Sequence, residues 1–143
     1  MLTRQRLQVN GIHFAGVLGL VRWLPSVLWM SFLFYLSHQP APLEPVASEV
    51  DPFFAHVAVY SILALLLHFA LADSNGATPR WVPISLAFAL AMLYGVGDEI
   101  HQAYVPGRVA SELDLVADAI GAAIGVGVMG LAAFRISLRA ADT

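Results

Sequence analysis

The sequence predicts an all-α integral membrane protein, a bundle of four transmembrane helices with both termini in the cytoplasm. Three observations carry this prediction. Apolar residues make up 59% of the chain and charged residues 12%, against about 45 to 50% and about 25% in a typical soluble domain. Four apolar stretches approach or exceed the roughly 20 residues that a helix needs to cross the hydrocarbon core. Threading those stretches back and forth collects six of the seven arginines on one side, the asymmetry expected of cytoplasmic loops. At 143 residues the chain is one compact unit. Its net charge of -3 and the absence of a basic patch argue against nucleic acid as a partner. With no cysteine there is no disulfide, thiolate metal site or thiol nucleophile.

The first span runs from about Val21 to Ser37 and ends in HQPAPLEPVASEVD, a linker whose three prolines stop a helix. Pro52 to Ala72 forms the second. Its proline falls in the first turn, where the missing N–H costs nothing, and Asp73, Ser74, Asn75 and Gly76 close it. The third starts near Trp81, reaches about Tyr104 and is broken by Pro106 and Gly107. The fourth extends from about Glu112 to Phe134, with Gly121, Gly125, Gly127 and Gly130 admitting a neighbouring backbone, within one chain or between copies of a homo-oligomer. Residues 1–20 read as an N-terminal cytoplasmic or interfacial segment, 21–134 as the membrane domain and 135–143 as a short cytoplasmic tail. Arg4 and Arg6 precede apolar residues, yet that run is too long for a signal peptide, lacks a convincing small-residue cleavage site and is followed by further spans. Residues 12–20 lengthen the first span or lie at the interface.

With both termini inside, Arg4, Arg6, Arg22, Arg80, Arg135 and Arg139 are cytoplasmic and only Arg108 is outside. The polar residues within the spans gather toward that outer face. His56 and Tyr60 are four apart on the second span, Tyr94, Asp98 and Gln102 on the third, and Asp114 and Asp118 on the fourth, so each set forms a stripe along one helix face. Glu99 and His101 flank the second stripe, Gly121 and Gly125 continue the third, and Arg108 sits in the loop between the two helices. A carboxylate in hydrocarbon costs at least a few kcal/mol, so such groups face the bundle interior or water and mark a functional path. Asp98, Glu99, Glu112, Asp114 and Asp118 set against Arg108 leave an excess of four negative charges. The expectation is that a carboxyl is protonated near neutral pH or that a cation binds. The plainer readings are a hydrogen bond between helices for His56 and Tyr60, interfacial water for Asp98, Glu99 and Glu112, and an ion pair of Arg108 with Asp114 or Asp98. His38 and His68 read as incidental.

The string YGVGDEIHQAYVPGRVASELDLVADAIGAAIG resembles the core signature of the VanZ-like membrane protein family. The matching positions are Tyr94, Asp98, Glu99, Gln102, Pro106, Gly107, Arg108, Asp114 and Gly121, preceded by the His56 and Tyr60 pair and by Ser37, Gln39 and Pro40 at the end of the first span. Together they cover about residues 20 to 130. Asp118 departs from the family's usual Asn and adds a charge. The resemblance implies a multi-pass protein of the bacterial cytoplasmic membrane, some of whose relatives are associated with resistance to the glycopeptide teicoplanin. It supplies no reaction.

Three functions fit these residues. The first is a cell-envelope protein whose polar outer cavity binds an envelope lipid, a lipid-linked precursor or a glycopeptide antibiotic through His56, Tyr60, Tyr94, Asp98, Glu99, Gln102, Arg108, Asp114 and Asp118. The second is an enzyme acting on a lipid headgroup, with Asp98 or Glu99 as general base, His56 as acid or base and Arg108 holding a phosphate. No nucleophile elbow, phosphate-cradling glycine loop or zinc-binding His-Glu-x-x-His accompanies them. No cofactor or metal is expected, although His56, His101 and the acids are residue types that bind metals. The third is ion or proton translocation along Asp118, Asp98 and His56, disfavoured because no polar stripe reaches the inner face.

Overall fold

A computed structural model describes residues 19–40, 51–72 and 78–141. These residues form four helices, α1 (Leu24–Ser37), α2 (Pro52–Leu71), α3 (Trp81–Gln102) and α4 (Glu112–Ala141). Each lies in an apolar stretch long enough to cross a membrane, at Gly19–Ser37, Pro52–Leu71, Trp81–Gln102 and Glu112–Ala132. The expected four-span, all-helical architecture is therefore observed.

The boundaries follow from local chemistry. A turn at Arg22 and Trp23 separates α1 from helical residues at 19–21, and Pro25 lies in the first turn of α1, where it removes no intrahelical bond. The proposed extension over residues 12–18 lies outside the described residues. Asp51 caps α2 by accepting the backbone N–H of Phe53 at 2.9 Å, just ahead of Pro52. Helix α3 stops at Gln102, two residues before Tyr104. The backbone N–H groups of Tyr104 and Val105 bond the carbonyls three residues back, which tightens the chain out of the helix. Gly107 then turns it at φ 77°, in the left-handed region that glycine enters without steric cost. At the other extreme, α4 runs through residues 135–141 rather than ending at Phe134. Arg, Leu and Ala are strong helix formers, and nothing in RISLRAA interrupts them.

The interior mixes small residues and buried polar groups with a few leucines, and large apolar side chains cover the exterior. Ala64, Ala87, Ala91, Ala117 and Ala122 are fully buried, as are Ser26 and Asp118, while Leu28, Phe54, Leu93 and Leu131 are each more than 60% exposed. That inversion suits lipid, which solvates apolar side chains and leaves polar ones to face inward. The most extensive interface joins α2 and α4. There, a Cβ at Gly121 would collide with the Val57 carbonyl and one at Gly125 with the Ser61 carbonyl, so both glycines permit backbone approach within one chain. The Ser61 hydroxyl lies 2.7 Å from the Val57 carbonyl and 2.9 Å from that of Gly121, tying the two helices at their closest point. Gly127 meets nothing and Gly130 only Ile84, so neither serves this packing.

Helix α1 is the least packed of the four, and side-chain donors fasten it. Trp29 donates its indole N–H to the Val59 carbonyl of α2 at 3.0 Å. Tyr94 of α3 donates its hydroxyl to the Met30 carbonyl at 2.6 Å. Just ahead of α1, Arg22 bonds the Phe69 carbonyl in the last turn of α2, its guanidinium 5.0 Å from the center of the Phe69 ring.

Candidate functional site

The end of α1, the start of α2, the end of α3 and the start of α4 meet at one end of the bundle, referred to below as the polar end. Helix spacing puts His56 and Tyr60 on one face of α2, with their rings stacked at 7° and 6.2 Å between centers. From α4, Asp118 reaches the same level and takes the His56 Nδ1 to its Oδ1 at 2.9 Å. Asp118 is 1% exposed. The bond gives one of the acids counted from the sequence a polar partner within the bundle. The second oxygen of Asp118 sits where a side chain on α3 would be. A Cβ at Gly95 would fall 2.7 Å from Asp118 Oδ2 and 3.2 Å from the Tyr60 ring, so glycine at this position makes room for both.

One turn nearer the polar end of α3, Asp98 Oδ2 accepts the Gln102 amide at 3.0 Å. Arg108 returns from the loop to the end of α1, where Nε bonds the Gln39 carbonyl and a terminal nitrogen the Leu36 carbonyl, both at 3.1 Å. No carboxylate pairs with it among the described residues. The expected ion pair with Asp98 or Asp114 is replaced by a cap on the last turn of α1, whose carbonyls have no intrahelical donor. Two of the five guanidinium N–H groups are used in this way, and no bond to another described residue occupies the rest of the fork.

These side chains enclose a cavity of about 140 Å³ lined by Ser37, His56, Tyr60, Asp98, Gln102 and Arg108, with Leu33 and Leu36 of α1 closing one wall. Three of the lining residues carry a buried oxygen with no hydrogen-bond partner among the described residues, namely Ser37 Oγ, Tyr60 Oη and Asp98 Oδ1. Five of the nine residues expected at the site therefore share one cavity, and Asp118 supports it from behind through His56. The other three have different roles. Glu99 is buried and accepts the Ser111 backbone N–H at 2.7 Å, which fixes the entry to α4. Tyr94 directs its hydroxyl to α1. Asp114 lies in the acidic first turn of α4, where a carboxylate complements the helix dipole.

Two features escaped the sequence reading. Ser37 belongs to the cavity wall, and its signal was the inward face of α1, where Ser26, Leu33 and Ser37 recur at helical spacing and are all buried. His38 is not isolated, because its Nδ1 lies 3.2 Å from His101 Nε2 and the two rings stack beside Phe34. Nothing in either local sequence links two histidines 63 residues apart. His101 thus meets His38 rather than His56, and among the described residues no three His, Asp or Glu side chains converge as a metal-binding group.

The family model described as VanZ/LLP1 matches residues 22–133, a stretch that takes in all four spans except the first three residues of the first, and the chain belongs to that family. No curated protein and no solved structure matches the chain.

Proposed function

We propose that this VanZ/LLP1 family member is a multi-pass protein of the bacterial cytoplasmic membrane that binds the headgroup of an envelope lipid, or of a lipid-linked precursor, in the cavity at its polar end. The observation that carries this reading is that three residues lining one 140 Å³ cavity, Ser37, Tyr60 and Asp98, each carry an oxygen without a partner among the described residues. Each buried polar group without a partner costs about 1 to 3 kcal/mol, so a ligand or water that satisfies them is stabilised by the same amount. Asp98 suits an amine or hydroxyl donor, and the rest of the Arg108 fork suits a phosphate. Size separates the candidates. Drug-sized ligands occupy about 300 to 1,000 Å³, so a whole glycopeptide would reach only the rim, whereas a headgroup enters. Native mass spectrometry of the protein in phosphatidylethanolamine and phosphatidylglycerol tests this. Wild type is expected to retain lipid with a headgroup preference that Asp98→Asn removes while the protein still inserts and stays folded. Equal retention of both lipids by wild type and variant, or loss of folded protein, would favour a purely structural role for Asp98.

The His56–Asp118 pair favours a second reading, acid/base chemistry on that headgroup. A buried carboxylate holding one ring nitrogen of a histidine that lines a cavity is the arrangement that orients an imidazole for proton transfer. Incubation with envelope lipids followed by mass spectrometry would then show headgroup turnover that His56→Ala abolishes. Translocation finds less support, because beyond Tyr60 and Asp118 the buried core continues with Leu63, Ala64, Leu67 and Ala122.

A further inference from the structure

A second and larger cavity, of about 380 Å³, runs between α1 and α3, a loosely joined pair of helices. Trp23, Met30 and Phe34 form one wall and Leu90, Leu93 and Gly97 the other, with Leu67 at the back. From Leu90 to His101 the groove extends about 16 Å along α3 at about 1.5 Å per residue, roughly half the thickness of the hydrocarbon core. Its surface is almost wholly apolar; Tyr94 in the middle turns its hydroxyl to the Met30 carbonyl, and Asp98 and His101 stand at one end. Asp98 also lines the headgroup cavity, so the two spaces adjoin at one residue.

We propose that this groove is a binding site for one acyl chain of the same phospholipid whose headgroup occupies the polar cavity. The inference rests on the headgroup reading for the identity of the molecule. Three features support the chain. The groove is apolar toward mid-membrane and ends beside Asp98 and His101 at the surface, which matches the orientation of a lipid in the leaflet at that end. The groove lies within two membrane-spanning segments, so its surroundings are themselves hydrocarbon. Finally, Gly97 faces open space. A Cβ there would meet no protein atom within 4 Å, so the groove wall is open to a ligand at this position.

The same observation supplies the variant. Gly97→Phe projects a ring into the groove without displacing protein, and Gly127→Phe makes the same change on α4, where a Cβ also meets nothing. Full-length protein is reconstituted in phosphatidylethanolamine–phosphatidylglycerol vesicles in which phosphatidylethanolamine carries a mid-chain diazirine, and labelled peptides are mapped after irradiation. The expected result is label concentrated on Trp23–Phe34 and Leu90–His101, reduced about tenfold by Gly97→Phe and unchanged by Gly127→Phe. Gly97→Leu serves as a second groove-filling variant if the Phe protein does not fold. Binding of soluble glycerophosphoethanolamine is measured in parallel as a probe of the polar cavity alone. Label spread evenly over all lipid-facing helices, or groove label indifferent to Gly97→Phe, overturns the chain site while headgroup binding persists. Label replaced by cross-links between two protein copies at α1 and α3 overturns it in favour of a dimer contact. Groove label that responds to Gly97→Phe without glycerophosphoethanolamine binding upholds the groove and removes the headgroup reading instead.

Discussion

Asp118 and His56 place a hydrogen-bonded pair where only one partner reaches the cavity, and their separation in the chain, 62 residues, makes the bond a link between α2 and α4 as well as a functional element. Asp118→Ala leaves the imidazole unpaired beside a void, at an expected cost of about 1 to 3 kcal/mol. Asp118→Asn retains an acceptor and is expected to cost less than about 1 kcal/mol, measured by unfolding in mixed micelles. Its effect on function separates the two readings above. Headgroup binding survives the loss of charge, whereas turnover that depends on a carboxylate-oriented imidazole falls; turnover equal to wild type would exclude that role for Asp118. At this scale the sequence showed which helix face a residue occupies more readily than which partner it meets. Spacing by four put His56, Tyr60, Asp98 and Gln102 on usable faces, but periodicity fixes a face within its own helix and is silent about which neighbour it meets. Arg108 shows the consequence. Counting charges suggested a carboxylate, while the turn at Gly107 delivers the guanidinium to carbonyls at the end of α1.

Among the elements, α2 and α4 form the tightest unit because glycine brings their backbones together. Gly121→Val and Gly125→Val would drive a side chain into the Val57 and Ser61 carbonyls. Backbone cannot yield as a flexible side chain can, so each is expected to destabilise by more than about 3 kcal/mol or to prevent accumulation of folded protein. Gly127→Ala, in open space, is expected to be neutral or stabilising by up to about 1 kcal/mol. Comparable losses in all three variants, read by fluorescence-detected size exclusion, would contradict the assignment of Gly121 and Gly125 to this contact. Helix limits were legible to within a few residues wherever a stop residue existed, at Pro52 and around Gly107. They were not legible after Phe134, since hydropathy marks where a helix leaves the membrane and not where it ends. The 30 residues of α4 amount to about 45 Å, against about 30 Å of hydrocarbon, so its last turns, with Arg135 and Arg139, extend past the apolar span.

For the whole molecule, the distribution of arginine gives a definite orientation to test. The absence of cysteine makes single-cysteine variants clean reporters. Val109→Cys, at an 81% exposed position of the polar end, is expected to react with a membrane-impermeant maleimide in intact cells, and Thr78→Cys at the opposite end only after lysis. The reverse pattern would put the cavity on the cytoplasmic side and remove the envelope precursors of the outer leaflet as ligands. The fold class was fully legible because a bilayer imposes length and apolarity on every span. The groove between α1 and α3 was not, since it is a property of how far two helices stand apart.

The attachment of α1 has one more consequence. The side-chain-to-backbone bonds that join α1 and its flanking residues to the rest of the bundle start on Arg22, Trp29, Tyr94 or Arg108 and end on a main-chain carbonyl, at Phe69, Val59, Met30, Leu36 or Gln39. A carbonyl is offered by any amino acid. The receiving positions are thus free to vary among apolar residues without undoing the attachment, while the four donors are not interchangeable with anything that lacks their N–H or O–H. A saturation mutagenesis map of the protein should be lopsided for this reason, intolerant at the donors and permissive at the acceptors they contact.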